Sequence, residues 1–197
     1  MAGPAIPQTA SRSREVARRA IQADIARTAE ALFVRQGFEQ TTVEEIAAAV
    51  GMSSRSISRY FPSKEDMVVG PMLRIGDEVA AALEDRPPEE APWEALRHAL
   101  EPALQAIADA PARAEMLAKA PALRAAMHQK QAHWTELLVP RLAARLQGSA
   151  ASRHLQAHAI VAAAFSCLDV AVAEWRNASV KQPIGALMDA AIKAVRS

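Results

Sequence analysis

The chain has 197 residues, of which 51% are hydrophobic and 4% aromatic, with a formal net charge of +1. That length can bury a substantial core in one or two domains, and the near-neutral balance excludes a uniformly basic nucleic-acid coat, leaving a localised charged surface as the alternative. A single cysteine, Cys167, excludes an intrachain disulfide, the opening MAGPAIPQTAS lacks an apolar leader core, and the longest unbroken apolar run, Ala159 to Phe165, falls far short of the ~20 residues of a spanning helix; a cytoplasmic protein without a membrane partner is expected.

Alanine dominates, glycine is scarce at 7 residues, and β-branched alternation is nearly absent, so the fold class is all-α from about residue 14 onward. The first helix is expected over 14–36. Before and within it, Arg12, Arg14, Arg18 and Arg19 face only Glu15, an excess of +3 between residues 11 and 20. Such a basic arm is either a solvated tail or a segment that reaches DNA phosphate or the adjacent minor groove.

The stretch Thr41 to Met67, TTVEEIAAAVGMSSRSISRYFPSKEDM, reads as a helix-turn-helix. Thr42 caps the first helix and Glu45, three residues on, completes a capping box. Val43, Ile46, Ala47 and Val50 share one face, and Gly51 stands where the helix must stop in a left-handed conformation. Met52, Ile57 and Tyr60 carry the apolar spacing through the turn and across a second helix. That leaves Ser54, Arg55, Ser56, Ser58 and Arg59 pointing outward, hydroxyls and guanidiniums suited to a major groove.

This segment resembles the DNA-binding domain of tetracycline-repressor (TetR) family regulators. The resemblance rests on Ala29-Glu30-Ala31-Leu32-Phe33 leading to Gly37-Phe38, on Thr41-Thr42, and on Tyr60-Phe61-Pro62-Ser63-Lys64-Glu65, and it covers roughly residues 15–67. It implies an N-terminal three-helix bundle with a larger C-terminal helical domain for ligand binding and dimerisation. It also implies phosphate contacts at Thr42, Tyr60 and Lys64, and base-edge contacts among Ser54, Arg55, Ser56, Ser58 and Arg59.

A fourth helix is expected from Ser63, capped through Asp66, and Gly70-Pro71 should interrupt it, either as a static kink or as a hinge. The run Asp85-Arg86-Pro87-Pro88-Glu89-Glu90-Ala91-Pro92 marks a loop. Further helices are expected at about 92–109, 111–120, 121–147, 152–178 and 183–196. Pro111, Pro121 and Pro183 sit at starts, while Pro102 and Pro140 should kink or divide their helices. The domain boundary is placed at 62/63, with a DNA-binding domain over 1–62 and a regulatory domain over 63–197.

The regulatory half offers little chemistry. His154 and His158 have the i, i+4 spacing of a metal pair but no third ligand is evident, and Cys167 lies between Phe165 and Leu168 like a buried thiol, so no metal, cofactor or catalytic set is expected. The region 92–145 resembles, through Trp93 to Leu100, Ala120 to Arg124 and Trp134, the C-terminal domain of TetR-like regulators that bind acyl-CoA-like ligands. The cavity implied would be lined by Trp93, Met116, Leu117, Met127, Trp134 and Phe165, with Arg97, Arg113 or Arg124 near the phosphates of an acyl-CoA, a fatty acid being the simpler candidate.

A single reading head touches only a few base pairs, so a homodimer on a palindromic operator is expected. Two stripes suit that interface: Ile184, Leu187, Met188 and Ile192 on the last helix, and Phe165, Leu168 and Val172 on the one before. The expected function is therefore a ligand-responsive transcriptional repressor, not an enzyme, in which the effector shifts the fourth helix and so the recognition helices. The alternatives are a DNA-binding regulator without a small-molecule effector and, with no catalytic residues to support it, an all-helical enzyme.

Overall fold

The computed structural model describes residues 8–177 and 182–196. Residues 1–7, read above as lacking a leader's apolar core, and residue 178, the expected end of the penultimate helix, lie outside them. The described elements are all helical: α1 (Gln8–Gln36), α2 (Val43–Val50), α3 (Ser54–Ser58), α4 (Lys64–Val69), α5 (Pro71–Glu84), α6 (Pro92–Ala99), α7 (Glu101–Ala108), α8 (Pro111–Lys119), α9 (Pro121–Ala143), α10 (Ala150–Asn177) and α11 (Ile184–Arg196). They divide into two compact units, one ending at Pro71 and the other beginning at Met72.

In the first unit α1 packs on α2 and α4 around Ile25, Ala29, Phe33, Ile46 and Ile57, all almost wholly buried. Met67, Val68 and Val69 of α4 are buried too, which draws residues 63–71 into this unit, beyond the 62/63 boundary read from the sequence. The helix α1 begins at Gln8, six residues before the expected start, so the basic segment from Arg12 to Arg19 lies wholly within it.

The second unit is built on α9, α10 and α11, with α6, α7 and α8 packed around them over a core that includes Leu83, Leu96, Leu100, Leu104, Leu138, Leu142 and Val161. Pro102 divides the helix expected over 92–109: Leu100 takes φ −78°, ψ −1° between α6 and α7, and the proline falls in the first turn of α7, where its missing N–H does no harm. Pro140 is instead carried inside α9, which ends three residues later at Ala143. By length and composition α10 could cross a membrane, with a mean hydropathy of 1.7 over its most apolar window. It is also the core helix of this unit, burying Ala157, Val161, Ala164, Phe165, Leu168 and Ala171 against its neighbours.

The stripes assigned to a dimer interface take part in the core of this unit. Met188 is 0% exposed, and Phe165, Leu168, Ile184 and Ile192 are buried, because α10 and α11 turn these faces onto each other and onto α6, α7 and α9. Val172 and Leu187 are half-buried against the same core. Among the described residues, the large apolar side chains left outside in this unit are Leu155, Val170 and Val195, which are 71%, 56% and 60% exposed.

Candidate nucleic-acid interface and effector cavity

The first unit carries a rigid platform for α3. Thr42 Oγ1 accepts from the Glu45 N–H at 3.2 Å and the Glu45 carboxylate accepts from the Thr42 N–H at 2.8 Å, so both halves of the capping box form. The Thr42 hydroxyl at 3.2 Å and the Gln36 amide at 3.1 Å add a second and a third donor to the same carboxylate. These hydrogen bonds, the Thr42 N–H foremost, hold the Glu45 carboxyl below its ordinary value. Gly51, at φ 76° and ψ 31°, then reverses the chain, and the Met52 N–H closes on the Ala47 carbonyl at 2.8 Å. Ser53 caps α3 by accepting from the Ser56 N–H at 3.2 Å.

Ile57, 0% exposed, anchors α3, and the outer surface consists of Arg55, Ser58 and Arg59, with Ser54 and Ser56 half-buried at its edge. The hydroxyls are partly committed: Ser56 Oγ lies 2.9 Å from Ser53 Oγ, and Ser58 Oγ donates to the Ser54 carbonyl at 3.0 Å. The two arginines are the long donors on this face. Tyr60 follows half-buried, its carbonyl accepting from Gln22 of α1 at 3.2 Å.

Lys64 sits elsewhere. Its ammonium donates to the Phe38 carbonyl at 2.7 Å and to the Thr41 carbonyl at 3.2 Å, and lies 4.3 Å from the centroid of the Phe38 ring. It thereby fastens the start of α4 to the α1–α2 connection, where Gly37 turns the chain at φ 93° and Thr41, 1% exposed, donates to the Gly37 carbonyl at 2.7 Å.

The second unit contains a cavity of about 300 Å³ between α7, α8, α9 and α10. Its walls are apolar: Met72, Ile107, Leu117, Met127, Leu168 and Val172. Its polar groups fall in two places. Arg113 and Arg124 come from the starts of α8 and α9, and Arg176, from the end of α10, is held by Glu115 at 2.8 Å. Two turns along α9, Gln131 donates to Asp169 of α10 at 3.3 Å and lies 3.2 Å from His128. Although Asp169 is exposed on one side, partial desolvation against this apolar wall outweighs the Gln131 hydrogen bond and pushes its carboxyl above the ordinary value.

Residues 25–69 match the family model for bacterial regulatory proteins of the TetR family. The similarity to the TetR family lies in this segment of the chain. A relative, the HTH-type transcriptional regulator TcmR of Streptomyces glaucescens, is 41% identical over 85 residues; that stretch spans 43% of this chain and only 38% of TcmR. The fold is shared more widely. Thermus thermophilus FadR, a TetR-family repressor solved with lauroyl-CoA, aligns over 89% of this chain and 93% of its own, with a TM-score of 0.59 at 19% identity. Bacillus subtilis FadR, solved with stearoyl-CoA, aligns over 88% and 96%, with a TM-score of 0.58 at 18% identity.

Within this TetR fold the residues singled out for ligand contact separate. Leu117 and Met127 line the cavity, as do Arg113 and Arg124. Trp134 instead packs against α5 at Gly76, where any side chain would collide with its indole, and donates to the Met72 carbonyl at 3.2 Å; the Phe165 ring lies beside it, tilted by 60°, at 6.2 Å between ring centroids. Met116 is buried on α8 away from the cavity. Trp93 borders a surface groove with Glu94, Arg97 and Arg196, and Arg97 is engaged by Asp189 and Glu101 at 2.5 and 3.0 Å. Leu168 and Val172, assigned to a dimer interface, are cavity walls. Met72, His128, Gln131, Asp169 and Arg176 were not foreseen. The i, i+3, i+4, i+7 recurrence of Arg124, Met127, His128 and Gln131 was the available signal, and it is too common to single out a ligand face without its partner helix.

Proposed function

We infer that this chain is a sequence-specific DNA-binding transcriptional repressor that acts as a homodimer on a palindromic operator and is released by a small effector. The observation that carries the DNA reading is α3: a short helix pinned by Ile57 on a fully capped support, with Arg55 and Arg59 directed outward. Ser54, Ser56, Ser58 and Arg59 complete its reading face, and Thr42 and Tyr60 flank it as phosphate contacts. Lys64 acts through the fold, by positioning α2 and α4.

The dimer reading rests on the exposed face of α10, where Leu155, Ala159, Ala162, Ser166 and Val170 recur at helical spacing with side chains small enough for close approach. The effector reading rests on the cavity, whose ~300 Å³ sits at the small end of ligand pockets. An apolar acyl group fits its walls and the three arginines suit an anionic end; an acyl-CoA or fatty acid is the class suggested by the FadR structures. Met72 is both a cavity wall and the residue after Pro71, so an occupant would bear directly on the start of α5 and, through Gly70-Pro71, on α4. Gly70 keeps helical angles, φ −56° and ψ −44°, and Pro71 has no N–H to bond back to Met67. Regulation of this kind places the protein in the cytoplasm, with no catalytic role.

The test is titration of tryptophan fluorescence with acyl-CoAs and free fatty acids, with and without a duplex recovered by footprinting. Reciprocity requires an effector that weakens DNA binding to bind more weakly itself when DNA is present. Binding indifferent to DNA would refute the coupling and leave the alternative of a regulator without this effector.

A further inference from the structure

The first half of α1 is an overhang. Every residue from Arg12 to Ile21 is exposed, including Val16 at 67%, and burial begins only at Gln22 and Ile25. Gln22 is also where α1 meets the far end of the recognition helix, through its hydrogen bond to the Tyr60 carbonyl. The helix therefore leaves the body of the domain beside α3 and continues past it.

The side of α1 that packs inside the domain is the row Gln22, Ile25, Ala29 and Leu32–Phe33. Continued toward the N-terminus at the same helical spacing, that row becomes Arg18 and then Arg14, four and eight residues before Gln22. At 1.5 Å per residue these guanidinium-bearing positions lie ~6 and ~12 Å beyond the Tyr60 contact. Arg12 and Arg19 lie on a different face, and Arg19 is already engaged by Glu15 at 2.9 Å.

We propose that Arg14 and Arg18 form a phosphate clamp on the DNA backbone flanking each half-site, and that Arg12 and Arg19 do not. The inference rests on the DNA-binding reading above and sharpens it. A charged row on the domain-facing side of a helix, starting where that helix passes the recognition helix, complements a polyanion and has no apolar surface to cover. A rigid helix is too wide to enter a minor groove ~6 Å across and its guanidiniums meet the phosphates first, so the proposed contact is to backbone and blind to sequence.

The test compares two charge-matched variants of the full chain, R14A/R18A and R12A/R19A, binding a mixed-sequence duplex of about 30 base pairs between about 50 and 200 mM salt. Each phosphate neutralised contributes roughly 0.9 to the slope of log affinity against log salt. The first pair should reduce the slope by about 1.8 per bound reading head and the second by less than half of that. Both remove two positive charges from exposed positions, so a general field effect would move them equally; equal slopes overturn the clamp. Alternating A·T and G·C duplexes supply the second readout. Their affinity ratio should be unchanged by R14A/R18A, and a changed ratio would indicate minor-groove reading and overturn the assignment. If the parent protein binds no duplex at all, the DNA reading itself fails and the clamp with it.

Discussion

Replacing Lys64 by alanine separates two roles that the same residue could play. Its ammonium makes two hydrogen bonds to carbonyls, at 2.7 and 3.2 Å, and lies over the Phe38 ring. Charge-assisted hydrogen bonds contribute about 1.5–3 kcal/mol each in favourable cases and an exposed cation–π contact about 0.5–1. Lys64 is only half-buried, so water replaces part of what is lost, and a net cost of about 1–3 kcal/mol is expected. Urea denaturation followed by circular dichroism should show the midpoint fall with m unchanged. A Lys64→Arg variant, whose planar fork cannot point at both carbonyls from one atom, should recover only part of it. Salt titration of DNA binding, performed well below the midpoint, should retain the parental slope. A slope reduced by about 0.9 per half-site in a protein of unchanged stability would refute the positioning role and return Lys64 to the phosphate backbone.

Other expectations follow from the same structure. Arg55→Ala should lose about 1–3 kcal/mol per half-site and relax preference at one base position, read by competition with single-base operator variants. Leu155→Glu together with Val170→Glu should convert a dimer into a folded monomer by light scattering, whereas Met188→Glu, at a fully buried position, should unfold the second unit. The Arg86 guanidinium, at 2.6 Å from both oxygens, and His98 at 2.7 Å depress the Glu90 carboxyl to about 2. A depressed carboxylate contributes stability above its unfolded value and loses it as pH falls, so Glu90→Gln should flatten the acid side of a stability profile between about 4.5 and 2 and leave the neutral side parallel to the parent. Gly76→Ala should destabilise the second unit and quench or shift Trp134 fluorescence, since the added methyl displaces the indole; a parental emission spectrum would contradict the packing.

The first unit was legible because its signals are local. The Thr42–Glu45 box, the Gly51 turn and the Ile57 anchor each depend on residues within a few positions of one another, and all three stand in the structure. Lys64 was not legible in the same way: its partners, Phe38 and Thr41, are backbone carbonyls some 25 residues away, and a lysine beside a helix-turn-helix resembles a phosphate ligand until they are seen. The second unit shows the limit of periodicity. The apolar rows on α10 and α11 are real, but an alanine-rich helix carries more than one such row, and only packing decides that Met188 and Leu168 turn inward while Leu155 and Val170 remain outside. The tryptophans misled for a related reason. Trp134 serves Gly76 and the Met72 carbonyl, a partnership 62 residues apart in sequence, and the cavity is formed instead by the less conspicuous Ile107, Leu117 and Met127.

Footprinting of the purified full chain across genomic DNA tests the central claim most directly. Two copies of α3, held in one dimer, should protect an inverted repeat whose half-sites are centred ~34–36 Å apart on one face of the duplex or a multiple of that spacing, and for Arg55→Ala the protection should weaken and lose selectivity at one base position of each half-site while the variant remains folded and dimeric. Uniform protection without a repeat, or a footprint that survives loss of Arg55 unchanged, would contradict the reading of this chain as an operator-specific repressor.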